Sequence, residues 1–250
     1  MKLTAVVLTK DEEKNIKNCL SSLVFCDEVI VIDDFSEDKT IEIVHKFDKN
    51  IKVIQRKLNN DFAGQRNFGL AKSKNEWVLF VDADEVVTNE LKSEIQSLNF
   101  QKESYSIKRR DHFWNQELKY GEIKKVRDQG IVRLVKKSSG TWMGDVHEVF
   151  HTSKITGKLN SFLDHYPHQT IKEFINDINR YSDIRSLELF DRGVKTNIFE
   201  IIFLPSGKFI FNYIFNLGFL DGAAGFAYSF MMSFHSFLVR SKLYQMTNKK

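Results

Sequence analysis

The run Trp77–Val81 is apolar throughout and ends abruptly in an acidic segment that begins at Asp82. A strand that is apolar on both faces is typical of the buried centre of a parallel sheet. Other short strand-forming runs precede it and alternate with segments of helical periodicity: strands at Leu3–Leu8, Val29–Ile32 and Ile51–Ile54, and helices at Glu12–Leu23, Thr40–Phe47 and Ala63–Ala71. This alternation predicts an α/β fold with a Rossmann-like, mostly parallel central sheet flanked by helices.

The chain of 250 residues is long enough for one sizeable domain with a smaller appendage. We predict a first domain that spans residues 1–192, with a first half of residues 1–100 and a second half of residues 101–192. A helical extension follows and spans residues 193–250. The last helix of the first domain is predicted to begin at a capping box formed by Thr170 and Glu173. The extension holds ten of the 22 phenylalanines, and six basic residues against two acidic residues.

Carboxylates follow two neighbouring strands of the predicted sheet. Asp82, Asp84 and Glu85 come directly after the apolar run, and Asp33 and Asp34 follow the second strand. Because the carboxyl ends of parallel strands meet at one edge, we expect these side chains to line one crevice. An Asp-x-Asp pair there can hold a divalent cation that bridges diphosphate oxygens, and an aspartate can accept hydrogen bonds from uracil or ribose. The alternative interpretation is structural, since solvated acidic turns and helix N-caps use the same residue types.

Four segments, in this order, resemble glycosyltransferase family 2, whose fold is of the GT-A type: Leu8–Ile16, Val31–Thr40, Gly64–Gly69 and Val81–Glu85. Two later segments, Gly144–Glu148 and Gly218–Gly225, resemble a narrower branch, the lipopolysaccharide-core β-1,4-glucosyltransferases. The resemblance spans nearly the whole chain. It implies a catalytic domain whose first half binds a nucleotide-sugar and whose second half binds the acceptor.

The resemblance implies a site for a UDP-sugar donor, UDP-glucose in this branch, formed by these residues: Thr9, Asp33, Asp34, Arg66, Asp82 and Asp84. Thr9 and Asp34 would lie beside the uracil, and Asp82 would contact the ribose or the sugar. The implied cofactor is Mg²⁺ or Mn²⁺, for which Asp84 is the principal ligand and Asp82 and His147 are further candidates. Arg66 would approach the nucleotide; the alternative is a surface helix arginine paired with a nearby acid.

An inverting transfer needs a base that takes the proton of the acceptor hydroxyl while its oxygen attacks the anomeric carbon. Glu148 and Asp145 are the candidates; Glu148 is favoured, and Asp145 stays open because family members commonly use an aspartate. His147 could hold the metal, orient the base, or be a hydrogen-bonded core residue, and His165 and His168 are equally open. The chain lacks the Gln-x-x-Arg-Trp element of processive synthases, so we expect a single sugar to be added per encounter.

The extension combines aromatic bulk with basic flanks, which suits the interfacial region of an anionic membrane. The segment Gly222–Val239 is long enough for one short span, but its glycines and serines favour helices that lie in the interface, with Lys208, Arg240 and Lys242 at lipid phosphates. A buried helical hairpin is the alternative. The expected acceptor is a lipid-linked saccharide such as lipopolysaccharide core, and no nucleic-acid partner is expected because the charges are interspersed.

No signal peptide precedes the first strand, so the protein is expected in the cytoplasm, peripheral on the cytoplasmic face of the inner membrane. Cys19 and Cys26 are expected to be reduced and structural. Two other functions fit parts of the sequence: a haloacid-dehalogenase-like phosphatase phosphorylated on Asp82, and a non-catalytic, membrane-attached nucleotide-sugar-binding module. The phosphatase is disfavoured because three βα units precede its Asp-x-Asp segment.

Overall fold

The computed structural model describes residues 2–144 and 148–248, and the chain forms two compact units. The first unit comprises the residues up to Arg110 together with Asp128–Tyr166, and the second comprises Asp111–Arg127 together with Pro167–Lys250. Each unit has an apolar core of its own.

The first unit opens with the predicted alternation of strands and helices: β1 (Leu3–Thr9), α1 (Ile16–Ser22), β2 (Glu28–Asp33), α2 (Thr40–Phe47), β3 (Lys52–Gln55), α3 (Phe62–Lys72) and β4 (Trp77–Asp82). The four strands are parallel and lie in the order β3-β2-β1-β4. The predicted Rossmann-like half is therefore confirmed. Helix α1 is shorter than its sequence pattern indicated, since it begins at Ile16 rather than at Glu12.

The apolar strand β4 is buried on both faces, as its sequence predicts. Leu79 and Val81 pack in a core with side chains of α1 and α2, whereas Val78 and Phe80 pack in a second core with side chains of α3. Gly69 of α3 allows the helix to lie close to the sheet, because a Cβ there would come within 2.4 Å of a methyl carbon of β1. The helices thus cover the sheet and leave its ends for polar residues.

The chain continues through these elements: β5 (Glu85–Val87), α4 (Asn89–Gln96), β6 (Ser104–Phe113), β7 (Gln116–Glu117), α5 (Lys124–Gln129), β8 (Ile131–Lys136), β9 (Gly140–Met143), β10 (Val149–Thr152) and β11 (Gly157–His165). The sheet extends from β4 in the order β8-β6-β11-β5, and β8 is antiparallel to both β4 and β6. Strands β9 and β10 form a separate antiparallel ribbon. The sheet is therefore mixed, with a parallel half and a largely antiparallel half.

The second unit contains three long helices: α6 (Ile171–Asp191), α7 (Ile198–Ile210) and α8 (Gly222–Thr247). The capping box predicted at Thr170 is confirmed, with both of its hydrogen bonds present. The division into units differs from the predicted boundary after residue 192, because Phe174 and Ile178 of α6 share a core with Ala224 and Met231 of α8. Helix α6 thereby belongs with the C-terminal helices.

Candidate active site

The carboxyl ends of β1, β2 and β4 lie side by side, because the strands are in matching register. Thr9 pairs with Asp33 and Leu8 with Asp82. The backbone continues these contacts beyond the strands, since the N–H of Asp34 donates to the carbonyl of Thr9 at 3.0 Å. The sheet therefore brings the predicted polar segments to one edge.

The two aspartates that follow β2 differ in burial: Asp33 is buried and bound by its neighbours, whereas Asp34 is partly exposed. Asp33 is fully buried and accepts hydrogen bonds from the Ser36 hydroxyl at 2.6 Å and the Gln55 amide at 3.2 Å. Its neighbour Asp34 accepts from the backbone N–H of Leu58 through Oδ1.

The hydroxyl of Thr9 is buried and has no hydrogen-bond partner among the described residues. A buried polar group without a partner is unusual unless a ligand supplies the hydrogen bond.

Arg66 links the two halves of the candidate site. Its Nε donates to Glu148 Oε1 at 2.7 Å, and its Nη2 donates to Asp82 Oδ1 at 3.0 Å. The side chain is only 3% exposed, and its guanidinium lies over the rings of Phe80 and Trp142. Arg66 is therefore a buried bridge between two predicted site carboxylates rather than a surface arginine.

Two further residues, Arg133 and Glu85, complete an ionic cluster beneath this edge. Arg133 Nη2 contacts Asp82 Oδ2 at 2.5 Å and Glu85 Oε1 at 2.8 Å, and the backbone N–H of Asp82 donates to the second oxygen of Glu85 at 2.9 Å. Burial opposes the ionisation of Asp82, but the charges of Arg133 and Arg66 hold its pKa well below the usual range. Burial raises the pKa of Glu85, against the opposing charge of Arg133.

Asp84 has a different environment from Asp82. Its Oδ2 lies 3.1 Å from Nε2 of His165, a residue at the end of β11. Burial again opposes ionisation, and the contact with His165 lowers the pKa of Asp84. The backbone of Tyr166 also donates to the carbonyl of Asp84 at 2.9 Å. His165 is therefore the side-chain partner of Asp84, the residue that the family resemblance implies as the principal metal ligand.

The predicted metal ligands are not gathered in one place among the residues described. Both oxygens of Asp82 bind arginines, and residues 2–144 and 148–248 contain no group of three His, Cys, Asp or Glu that could hold an ion. His147 and the alternative base Asp145 lie outside the described residues. Asp84 and His165 fit a cation better than Asp82 does, because a carboxylate oxygen suits Mg²⁺ or Mn²⁺ and an imidazole nitrogen can complete the coordination.

The sequence placed Glu85 in the acidic segment and left the role of His165 open, but it did not indicate the partner of either residue, and it did not indicate Arg133 at all. A signal for Arg133 does exist, since it is the charged residue within the otherwise apolar run Ile131–Val135. A charge at a strand position with apolar neighbours on both sides indicates a buried partner of opposite charge. The pairing of His165 with Asp84 carries no comparable signal, because the two residues are 81 positions apart in sequence.

A parallel half-sheet with acidic loops after β1, β2 and β4, joined to a largely antiparallel half, is the arrangement of the GT-A fold, with a ligand crevice expected at the carboxyl ends of the parallel strands. The model of the family "Glycosyl transferase family 2" matches residues 4–146, and the chain belongs to this family.

Relatives support the same class. The lipopolysaccharide core biosynthesis glycosyltransferase LpsC of Rhizobium meliloti is 25% identical over 97% of this chain and 92% of its own length. An uncharacterized glycosyltransferase of Rickettsia typhi is 27% identical over 99% of this chain and 88% of its own length. Among solved structures, S. aureus TarS 1–349 matches with a TM-score of 0.51 at 17% identity, over 99% of this chain and 92% of that chain. A structure of TarS 1–349 in complex with UDP-GlcNAc matches with a TM-score of 0.50 at 14% identity, again over 99% and 92%.

Proposed function

We propose that this chain transfers a single hexose, glucose in the narrowest form of the proposal, from a UDP-sugar to a lipid-linked saccharide of the lipopolysaccharide-core kind, with inversion at the anomeric carbon. The observation that carries the proposal is the bridge from Arg66 to both Asp82 and Glu148, at the edge where the acidic loops meet. The family membership supplies the reaction class, and LpsC and the UDP-GlcNAc complex of TarS support the acceptor and the donor.

The donor half uses the residues at the ends of β1, β2 and β4. The buried Thr9 hydroxyl and the carboxylate of Asp34 would bind the uracil, since one of these groups can donate and both can accept. Asp82 would contact the ribose or sugar from a position fixed by two guanidinium groups. Asp84 and His165 would hold Mg²⁺ or Mn²⁺, which when bound supplies positive charge to the departing diphosphate.

Glu148 is the proposed base. Its Oε1 accepts from Arg66, and we assign Oε2 to the acceptor hydroxyl, whose proton it would take as the oxygen attacks. Arg66 would hold this carboxylate in place, because its guanidinium is itself fixed by Asp82 and by two aromatic rings. The departing diphosphate needs no proton donor of its own, since it leaves as a stable anion.

The phosphatase alternative is excluded by the family, and the environment of Asp82 also argues against it. A phosphorylated aspartate must present a free oxygen to its substrate, whereas both oxygens of Asp82 are bound by buried arginines. The non-catalytic binding module differs from our proposal only in turnover, so an activity assay decides between them.

The test is the release of UDP from a panel of UDP-sugars with and without Mn²⁺ or Mg²⁺, in the presence of a lipopolysaccharide-core acceptor. We expect Asp84→Asn to lower turnover about 10- to 100-fold and to weaken the stimulation by Mn²⁺ or Mg²⁺, because a metal ligand or a residue that orients one is lost. We expect Glu148→Gln to lower turnover about 10²- to 10⁴-fold while UDP still binds, because only the proton transfer is lost. Glu90→Gln, an exposed carboxylate of α4, is the matched control.

Three outcomes would change the proposal. If Asp84→Asn keeps both nucleotide affinity and metal dependence, the donor site is assigned wrongly. If Glu148→Gln keeps full transfer while Asp145→Asn loses it, the base is Asp145. If the parent chain binds UDP-sugars but releases no UDP with any acceptor, it is the binding module.

A further inference from the structure

Helix α7 has its polar contacts on the inside and its apolar residues on the outside. The stripe that faces the rest of the second unit consists of Ile201, Pro205 and Lys208 of α7 and Asn212 of the helical turn Phe211–Phe215 that follows it, spaced as one face of a helix. Within this stripe Lys208 lies 3.1 Å and Asn212 3.0 Å from the carboxylate of Glu122. A surface helix of a soluble protein turns its apolar face to the core and its polar face to the solvent. Helix α7 does the reverse, so its exposed apolar face needs an explanation.

Opposite this stripe, α7 and the turns that follow it carry a set of exposed apolar side chains, which we call the outer face of α7. It is formed by exposed side chains between residues 198 and 220: Ile198, Phe199, Ile202, Phe203, Leu204, Ile210, Phe211, Ile214, Phe215, Leu217, Phe219 and Leu220. Phe199, Phe203 and Phe215 are 68%, 63% and 72% exposed. A large exposed apolar surface marks a site where a protein meets a partner or a membrane.

We infer that the outer face of α7 is inserted into the acyl region of a lipid bilayer, with α7 lying in the plane of the membrane. The inference deepens the proposed function, because it names the surface by which the enzyme would reach a lipid-linked acceptor. Apolar contact drives the insertion: phenylalanine and isoleucine side chains leave water for hydrocarbon, and the polar face of the same helix stays on the protein.

The hydrogen-bonding inventory of the outer face favours lipid over a protein partner. A protein–protein interface carries about one hydrogen bond per 100–200 Å². Ser206 is the hydroxyl residue on this side of α7, and its Oγ already donates to the carbonyl of Ile202 at 2.9 Å. The side chains that form the outer face are isoleucine, leucine and phenylalanine, which offer hydrocarbon contact and match acyl chains.

The rim of the outer face suits anionic headgroups. The turn that follows the face is fixed by Asp221, whose Oδ2 accepts from the backbone N–H groups of Lys119 and Tyr120, each at 2.9 Å. Lys119, Lys124 and Lys125 are exposed on this adjoining segment. Lysines beside an apolar surface are attracted to anionic lipid, at about 1 kcal/mol for each basic residue close to the membrane.

A transmembrane arrangement fits the contacts less well. The segment Ile198–Phe215 is long and apolar enough to cross a membrane, with a mean hydropathy of 1.4, and 17% of it is buried. A span would carry the ionic contact between Lys208 and Glu122 into hydrocarbon, where buried charge is costly. Insertion of one face leaves that pair on the protein side.

The structure also revises how the basic residues of the extension contribute. Lys208, Arg240 and Lys242, which the sequence assigned to lipid phosphates, lie 3.1, 4.0 and 2.6 Å from carboxylates of Glu122, Glu200 and Asp183. Their charges are partly neutralised within the second unit. The apolar face therefore contributes more to binding than these three charges.

The test is sedimentation of the full chain with vesicles of phosphatidylcholine and phosphatidylglycerol in equal amounts. We expect the parent to pellet with the vesicles and the double variant Ile202→Ser plus Phe203→Ser to bind about tenfold or more weakly, from the apolar area lost. The control, Val24→Ser plus Ile155→Ser, removes two exposed apolar side chains of the first unit and should bind as the parent does. Circular dichroism checks that both variants fold.

Trp114 provides a second readout, because it is 43% exposed whereas Trp77 and Trp142 are buried. Its turn adjoins the end of the outer face, since the side-chain amide of Gln116 donates to the backbone carbonyl of Asp221 at 2.7 Å, and we expect vesicles with brominated acyl chains to quench its fluorescence in the parent and not in the outer-face variant. Equal vesicle binding by parent and outer-face variant would overturn the inference. So would concentration-dependent dimerisation that the outer-face variant abolishes, if the vesicles bind neither protein.

Failure of this inference and failure of the proposed function give different results. The outer-face variant should release UDP from UDP-sugar at the parent's rate with a soluble, delipidated saccharide acceptor, because its changes lie outside the sheet-edge site. Asp84→Asn should lose that activity and still pellet with vesicles. If the parent pelleted with vesicles but released no UDP, the membrane-binding role of the outer face would be retained and the proposed transferase activity would be refuted.

Discussion

Removing the charge of Arg133 tests whether buried arginines hold the carboxylates of the sheet edge. Arg133 is 4% exposed and contacts both Asp82 and Glu85, at 2.5 and 2.8 Å. In Arg133→Met, Asp82 would keep Arg66, but Glu85 would keep only Arg109 at 3.7 Å among the ion pairs described. Breaking a buried ionic cluster by deleting one member costs about 3–5 kcal/mol, because a charge is left without compensation.

The assay is urea denaturation followed by tryptophan fluorescence and far-ultraviolet circular dichroism. We expect the free energy of unfolding of Arg133→Met to fall by that amount, and the melting temperature to fall by about 2–4 °C for each kcal/mol. Adding Glu85→Gln should restore part of the loss, since it removes the uncompensated carboxylate; we expect a coupling energy of about 0.5–3 kcal/mol. Arg180→Met is the control, because Arg180 is 53% exposed and its ion pair should contribute no more than about 1 kcal/mol.

Either of two results would contradict a buried ionic cluster at Arg133. A loss below about 1 kcal/mol in Arg133→Met would mean that the cluster is not the buried ionic unit described, since an exposed pair would cost as little. Strict additivity of Arg133→Met and Glu85→Gln would mean that the two side chains do not share a charge interaction, whatever each contributes alone.

Further expected outcomes concern packing, thiols and a helix cap. Gly69→Ala should destabilise by about 1–3 kcal/mol in urea melts, because its Cβ would overlap β1, whereas Gly207→Ala meets no atom within 4 Å and should stabilise by about 0.5–1 kcal/mol; equal effects would contradict the close approach of α3. Burial raises the pKa of the Cys26 thiol to about 12 and also raises that of Cys19, so alkylation at mildly alkaline pH should be about a thousandfold slower than in urea. The raised thiol pKa values also predict that the free energy of unfolding falls as the pH rises above the ordinary thiol range, because the thiols ionise first in the unfolded chain. Rapid alkylation of the native chain would contradict the burial of both thiols. Thr170→Ala should cost about 1 kcal/mol by loss of the capping box, and no change in α6 amide exchange would count against it.

Local patterns carried most of the first half of the fold. The apolar run of β4 predicted its burial on both faces, and the alternation of strands and helices before it predicted a parallel sheet, because these features depend on neighbours in sequence. The capping box at Thr170 was readable for the same reason. The acidic strand ends were readable as a site because parallel topology forces them to one edge.

Distant contacts explain what the sequence did not give. Arg133 meets Asp82 across 51 residues, and His165 meets Asp84 across 81 residues, so no local spacing encodes either pair. The boundary after residue 192 is a similar case: the turn that follows α6 resembles a domain end, yet Phe174 and Ile178 of α6 share a core with Ala224 and Met231 of α8. A turn signal marks where a helix ends, whereas the packing of its faces decides which unit it joins.

The position of Arg66 connects backbone packing to the proposed chemistry. Helix α3 starts at the N-cap Asp61, which accepts from the backbone N–H of Gly64 at 2.7 Å, and it lies close to β1 because Gly69 has no side chain. That approach brings Arg66 to Asp82 and Glu148, and the planar guanidinium then fixes the spacing between the two carboxylates. A lysine would keep the charge but not the rigid fork, so it could not set that spacing. The donor side and the base that we propose therefore both depend on Arg66, whose placement is decided by how closely α3 can approach the sheet.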